Sequence, residues 1–282
     1  MKYIKDKTFP YERALYGEKD ITLDNCRFEG EEDGESALKE TKNVILLNSF
    51  MDLRYPLWHV DSLYMDQVTQ TENCRASLWY SSNIKICNCS LLGIKALREC
   101  KKIKIYDTKI VSPEFGWKSS LITANNIDIT SEYLFFEAKN IKLDNIKFKG
   151  KYSFQYVKDL EITNSILDTK DAFWHAKNVV VKDSIVKGEY LAWYSENVTF
   201  IRCKIIGTQP LCYCKKLKLI DCTTESCDLA FEYSEVNGNI IGSIDSIKNP
   251  LKGKIKVDEI KEILYTEDSK YKVKGKVIVN KN

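Results

Sequence analysis

Proline and glycine are scarce, with 5 and 12 residues in a chain of 282. That composition excludes collagen-like and low-complexity chains and argues against a fold rich in tight turns. Charge of one sign does not dominate either. Forty-three basic residues against 40 acidic ones leave +3, too little to draw the chain to nucleic acid or to an anionic membrane. No apolar run approaches the roughly 20 residues that a membrane-crossing helix needs. The first residues, MKYIKDKTFPYERALYG, place charges and a proline where a secretory signal would carry an apolar core. A cytoplasmic location is therefore expected, with the ten cysteines as free thiols. Neither a nucleic-acid nor a membrane partner is expected.

One phrase recurs along the chain: a polar pair, alternating apolar positions, then Asn or Asp followed by a small residue. It reads KDITLDNC from Lys19, KNVILLNS from Lys42, SNIKICNC from Ser82, KKIKIYDT from Lys101 and KNIKLDNI from Lys139. Further copies are KDLEITNS from Lys158, KNVVVKDS from Lys177, ENVTFIRC from Glu196 and KKLKLIDC from Lys215. A degenerate copy begins at Asp61, and a truncated one, NNIDITSE, at Asn125. Six of the ten spacings between starts are 19 residues, and the two around Asn125, 24 and 14, sum to two such periods. Such a period could mean a leucine-rich repeat, but no helical segment or leucine spacing of that kind is visible. Strand-like alternation with this period instead specifies an all-β, single-stranded right-handed parallel β-helix of about eleven coils, each of roughly 19 residues.

Equivalent positions of successive coils stack about 4.8 Å apart. Val44, Ile84, Ile103, Ile141, Leu160, Val179, Val198 and Leu217 form one inward apolar column, and Leu46, Ile86, Ile105, Leu143, Ile162, Val181, Phe200 and Leu219 the next. A small column holds Cys26, Ser49, Cys89, Thr108, Ser165, Ser184, Cys203 and Cys222. The Asn or Asp before it suits a turn residue with unusual dihedrals. Residues 1–18 are expected to cap the N-terminal end and residues 19–250 to form the β-helix. Residues 251–282 should supply a lysine-rich closing strand, since an open end would offer its edge to another chain.

The second half of each coil ends in another phrase: LWHV, LWYS, LREC, LFFEA, FQYV, FWHA, AWYS and LCYC. Its first and last positions are apolar and small, and should point inward. The two between them include charged or amide residues, so both should touch solvent across a bend. They hold Trp58 and His59, Trp79 and Tyr80, Arg98 and Glu99, then Tyr156, Trp174 and His175, Trp193 and Tyr194, and Tyr213. Four of the five tryptophans and both histidines lie on this strip. Rings in register could stack on the pyranose faces of an oligosaccharide, with Tyr, Glu, Arg and His supplying hydrogen bonds. Equally, the aromatics could cover the core or pack under a C-terminal segment.

Asp171 precedes His175 by four positions, and Glu189 belongs one coil later. A carboxylate beside an imidazole is the minimum for acid–base work, so Asp171, His175 and Glu189 are the candidate catalytic groups. Charged residues on an outer face are, however, usually just solvated. Cys87/Cys89 and Cys212/Cys214 have the CxC form of metal pairs. Several cysteines share inward columns, where thiols behave as small hydrophobes, and neither histidine adjoins a CxC pair. No metal or cofactor is expected. The segment Ser112-Pro113-Glu114-Phe115-Gly116-Trp117 interrupts the period and is expected to loop out, where loops often carry function.

Phrases such as RYPLWHV, SPEFGW, KYSFQY, DAFWHAKN and GTQPLCYC make the chain resemble an uncharacterised family of bacterial proteins with a pectin-lyase-like β-helix. The resemblance covers nearly all of residues 9–250. It implies the fold and carries no activity with it. The better-known members of that superfold are secreted polysaccharide lyases and hydrolases. Their polygalacturonase-type NTD, HG and RIK motifs are absent, and Val and Ala follow His59 and His175. Pectin hydrolysis by that mechanism is not expected, and fold alone does not give function. Three readings stand: a β-helix that binds a carbohydrate-like ligand, a non-catalytic scaffold whose strip serves protein–protein or self-association, and an acid–base enzyme centred on His175.

Overall fold

A computed structural model describes residues 1–30, 35–267 and 269–280. Residues 31–34 of the expected β-helix, and 268 and 281–282 of the expected closing segment, lie outside the described residues. Among the described residues there is no helix, and the chain winds a parallel β-solenoid of about 14 turns. Two compact units divide it, Met1–Lys142 and Leu143–Asn282.

In the first unit Lys2–Lys5, Lys19–Asp24, Lys42–Leu47, Asp61–Asp66, Ser82–Cys87, Lys101–Val111 and Ser120–Glu132 pair in succession, always parallel. A shorter second row follows the Asn/Asp turn, through Arg27–Phe28, Phe50–Met51, Thr69–Gln70 and Ser90–Leu91. The second unit repeats this with Lys158–Thr163, Lys177–Lys182, Glu196–Ile201, Leu217–Glu225, Glu235–Lys248, Lys252–Leu264 and Lys276–Val279. Its second row runs through Ile166–Asp168, Ile185–Lys187 and Lys204–Ile206.

The physical basis is the alternation. Ile84 and Ile86, Ile103 and Ile105, Leu160 and Ile162, and Val179 and Val181 are all buried, each stabilising the fold by roughly 1.5–3 kcal/mol. Asn25, Asn48, Asn88, Asp107, Asn164, Asp183 and Asp221 all take left-handed backbone angles, with φ between 47° and 52°. Asn and Asp tolerate that region better than other side chains do. Nine of the ten cysteines are buried and all ten are free. Cys203 and Cys222 donate to the carbonyls of Val181 and Phe200, at 3.3 and 3.4 Å.

Three expectations need correction. The solenoid has about 14 turns rather than about eleven. The extra turns use Lys2–Lys5, Glu235–Lys248, Lys252–Leu264 and Lys276–Val279, where the recurring phrase is blurred. Second, Asn125 does not begin a coil. The coil starts at Ser120, which pairs with Lys101, while Asn125, its sixth residue, pairs with Tyr106. Starts at 101, 120 and 139 restore the 19-residue period. Third, Ser112–Trp117 does not loop out. Ser112, Glu114 and Lys118 N–H groups donate to Thr130, Glu132 and Phe136 carbonyls, and Phe115 is buried.

Candidate functional site

The corner of each coil is built by two left-handed residues flanking one ordinary residue. Leu57 and His59 (φ 62° and 55°), Leu78 and Tyr80 (62° and 58°), and Phe173 and His175 (63° and 55°) share this pattern. The bend sends the first side chain into the core, lays the middle one along the corner and turns the third outward. Leu57, Leu78, Phe154, Phe173 and Leu211 are accordingly buried, Trp58, Trp79, Trp174 and Trp193 half-buried, and His59, Tyr80, Tyr156, His175 and Tyr194 exposed.

With the period restored, Trp117 occupies the middle position too, so all five tryptophans share it. Each indole N–H donates to a backbone carbonyl of the next coil: Trp58 to Ala76 and Trp79 to Lys95 at 2.6 Å, Trp117 to Tyr133 at 2.8 Å. In the second unit Trp174 reaches Tyr190 at 2.7 Å and Trp193 reaches Gln209 at 2.8 Å, and the Gln155 amide makes the equivalent bond to Asp171 at 3.0 Å. Trp58 and Trp79 stack face to face at 5.1 Å and 4°, and Trp174 and Trp193 at 5.6 Å and 5°. The Arg98 guanidinium lies 5.0 Å from the Trp79 ring and 5.6 Å from Trp117, and its Nε is 3.5 Å from exposed Glu99. Rings in register across parallel strands therefore present faces to one another and edges to solvent. The faces expected to stack on a sugar are covered by their own neighbours.

The outward column behaves alike. His59 stacks on Tyr80 at 5.1 Å; His175 lies between Tyr156 and Tyr194 at 4.8 and 5.3 Å, and Tyr194 stacks on Tyr213 at 4.8 Å. Tyr213 is half-buried, donates to Glu232 at 3.2 Å, and has its pKa pushed up by burial and by that carboxylate. Among the described residues, no hydrogen bond or ion pair joins His175 to Asp171 or Glu189. Glu189 instead lines a different feature, to which Asp171 does not contribute.

That feature is a groove of about 660 Å³ in the second unit. Four carboxylates line it, Asp168, Glu189, Asp228 and Asp245, with Lys170 and Lys187 among them and Thr208 at its wall. Its base passes over Gly188 and Gly207, which occupy the same position in successive coils. A side chain at Gly207 would start 2.3 Å from the Gly188 carbonyl oxygen, and one at Gly188 would start 2.4 Å from that of Thr169. Close backbone stacking thus demands glycine at both positions, and both glycines line the hollow. Lys170 holds Glu189 at 3.0 Å and Lys187 holds Asp168 at 3.5 Å. Asp171, beside Lys170, is buried, and desolvation raises its pKa against the pull of Lys170, with Glu189 adding to the rise. Sequence reasoning passed over Gly188, Gly207, Thr208 and Asp245; the signal was two glycines 19 residues apart in a chain with few of them.

Among the described residues no group of three or more His, Cys, Asp and Glu could hold a metal ion, and no helix is long and apolar enough to cross a membrane. The family model described as "Protein of unknown function (DUF3737)" matches residues 2–278. The chain belongs to the DUF3737 family. No curated protein matches it. Among solved structures, this DUF3737 member is similar to the periplasmic alginate epimerase AlgG, at 9% identity and a TM-score of 0.30, over 94% of this chain and 77% of that one. It is also similar to the catalytic domain of a GH87 α-1,3-glucanase in complex with nigerose (10%, TM-score 0.29, covering 98% and 63%). A third is PfbA, a surface adhesin of Streptococcus pneumoniae (10%, TM-score 0.26, covering 94% and 73%). Superpositions this loose carry no residue or role across.

Proposed function

We propose that this DUF3737 member binds a carbohydrate or carbohydrate-like ligand, and that it does so in the groove over Gly188 and Gly207 rather than on the tryptophan strip. The groove is the observation that carries the reading. Its volume, about 660 Å³, falls within the roughly 300–1,000 Å³ of small-ligand sites. Nine of its twelve lining residues carry polar or charged side chains, with Ile206 as the one large apolar residue, and that supply of donors and acceptors suits a ligand that carries hydroxyls. Carboxylates accept two hydroxyl hydrogen bonds side by side, lysine ammoniums donate, and Thr208 does both. Any acid–base chemistry at this groove falls to its lining carboxylates, Asp168, Glu189, Asp228 and Asp245. His175, clamped between two tyrosine rings, is a worse-placed centre.

The second reading, a scaffold that associates through its corner, is favoured by one observation. Tyr80, Tyr156 and Tyr194 expose 42, 46 and 49% of their surface, and rows of tyrosine edges are common in interfaces. Calorimetric titration with a panel of neutral and acidic oligosaccharides separates the two. The groove reading expects saturable binding that Asp228→Asn or Glu189→Gln weakens about tenfold or more, with the circular dichroism unchanged. No binding across the panel, together with a concentration-dependent dimer that Tyr156→Ala and Tyr194→Ala dissolve, would favour the scaffold.

A further inference from the structure

The first unit carries a second hollow, of opposite character. Parallel pairing sets Lys104 directly in register with Lys85, on adjacent strands. Like charges facing each other in that way repel and destabilise the pair. Two other in-register lysine pairs have an acid on the next coil to relieve them. Lys42, in register with Lys19, reaches Asp61 at 3.5 Å, and Lys177, in register with Lys158, reaches Glu196 at 3.6 Å. Lys85 and Lys104 have no such partner among the described residues. Lys102, two residues before Lys104 and held in the left-handed region at φ 58°, lines the same hollow.

The three lysines line a hollow of about 500 Å³, together with Asn83, Ile84, Ile103, Leu121 and Thr123, and no carboxylate lines it. Asp61, which accepts from Asn83 at 2.6 Å, is already engaged by Ser82 and by Lys42. The Lys85 ammonium also lies 5.1 Å from the centroid of the Tyr64 ring, so its stem is held over an aromatic face rather than ranging freely. Lysines in register on adjacent strands, a lining without carboxylates and a concave surface together describe a site suited to negative charge.

We propose that this hollow binds a doubly charged tetrahedral oxyanion, the phosphate or sulfate group of a small ligand. A single carboxylate would neutralise one lysine and leave the others opposed, whereas a dianion offers charge and oxygen atoms to all three ammoniums, and the Thr123 hydroxyl can add a further donor. The site lies in residues 83–123, apart from the groove in residues 168–245, so it stands or falls independently of the carbohydrate reading.

Thermal unfolding at constant ionic strength tests it, with inorganic phosphate, inorganic sulfate and acetate each replacing sodium chloride. The midpoint should rise with the logarithm of phosphate or sulfate concentration, by about 2–4 °C at tenfold excess over the dissociation constant. Acetate should produce no rise. Sulfate stays doubly charged below pH 7 and phosphate does not, so a response that fades for phosphate alone at lower pH marks the dianion as the bound species. Lys85→Gln with Lys104→Gln should abolish the rise. Lys104→Glu, which supplies the missing opposite charge, should raise the midpoint with no anion added. An equal response to acetate, a response that survives in the double glutamine variant, or a lower midpoint for Lys104→Glu would each overturn the proposal.

Discussion

The indole rings of Trp174 and Trp193 lie 5.6 Å apart and 5° from parallel, while each N–H is committed to a carbonyl of the following coil. The facing side of each ring and its one polar atom are used inside the protein. A solenoid that stacks identical positions turns an aromatic platform on its side: what looks like a binding surface in the sequence becomes a ladder along the corner. Replacing Trp174 with Phe keeps most of the stacking and removes the hydrogen bond to Tyr190. The expected loss is about 1 kcal/mol, read as a fall of about 2–4 °C in the unfolding midpoint. An unchanged midpoint would show that the bond contributes nothing.

Ile162 is fully buried between the two rows of the second unit. Ile162→Asp places a charge there with no partner, at a cost of about 3–5 kcal/mol by analogy with a broken buried pair. Loss of the cooperative unfolding transition is expected in circular dichroism. Near-native stability would count against the inward column.

Burial raises the thiol pKa of Cys74, Cys100 and Cys227 to about 12 and of Cys89, Cys203 and Cys214 to about 11. The folded state therefore keeps protons that the unfolded chain releases near the ordinary thiol value of 9.0. Stability should be fully present below about pH 9 and fall as pH rises from there through the folded values. Denaturant midpoints at pH 8, 9 and 10 check the sign, and a midpoint that rises with pH would refute it. At pH 8 the native protein should react slowly with a thiol reagent, and the denatured one at all ten cysteines without prior reduction.

Much of the fold could be read from the chain because a coil repeats its chemistry. Val179 and Val181 predict each other's neighbours 19 residues away, and Asn88 or Asn164 announces the left-handed turn. Legibility failed where a position broke type while the backbone kept its path. Leu121, an exposed apolar residue where other coils carry Lys, Asn or Asp, hid the coil that starts at Ser120. Pro113 and Gly116 read as a loop, yet the Pro113 carbonyl accepts the Lys95 N–H, Gly116 takes the corner position held by Phe173 three coils on, and Phe115 beside it is buried. The last coils were blurred by the irregular pairing between Leu219 and Cys222 and their partners on Glu235–Lys248. The groove was harder still, since Gly188 and Gly207 act through side chains they do not have.

Gly207→Ala tests that last point. Its added carbon would start 2.3 Å from the Gly188 carbonyl, at a φ of 125° that other residues rarely adopt. Destabilisation of at least about 1–3 kcal/mol is expected from the strained backbone alone, with the stacking of Gly188 on Gly207 disturbed. A neutral substitution would mean that the coils are spaced more loosely here than the structure shows.

The placement of the ligand is tested most directly by one calorimetric comparison of three proteins with the same oligosaccharide: the native chain, Thr208→Tyr and Trp174→Phe. Tyrosine at position 208 fills the groove, while phenylalanine at 174 alters only the corner ladder. The account predicts that Thr208→Tyr abolishes binding and Trp174→Phe leaves the affinity within about twofold. Binding retained by Thr208→Tyr and lost by Trp174→Phe would contradict it and return the site to the aromatic strip.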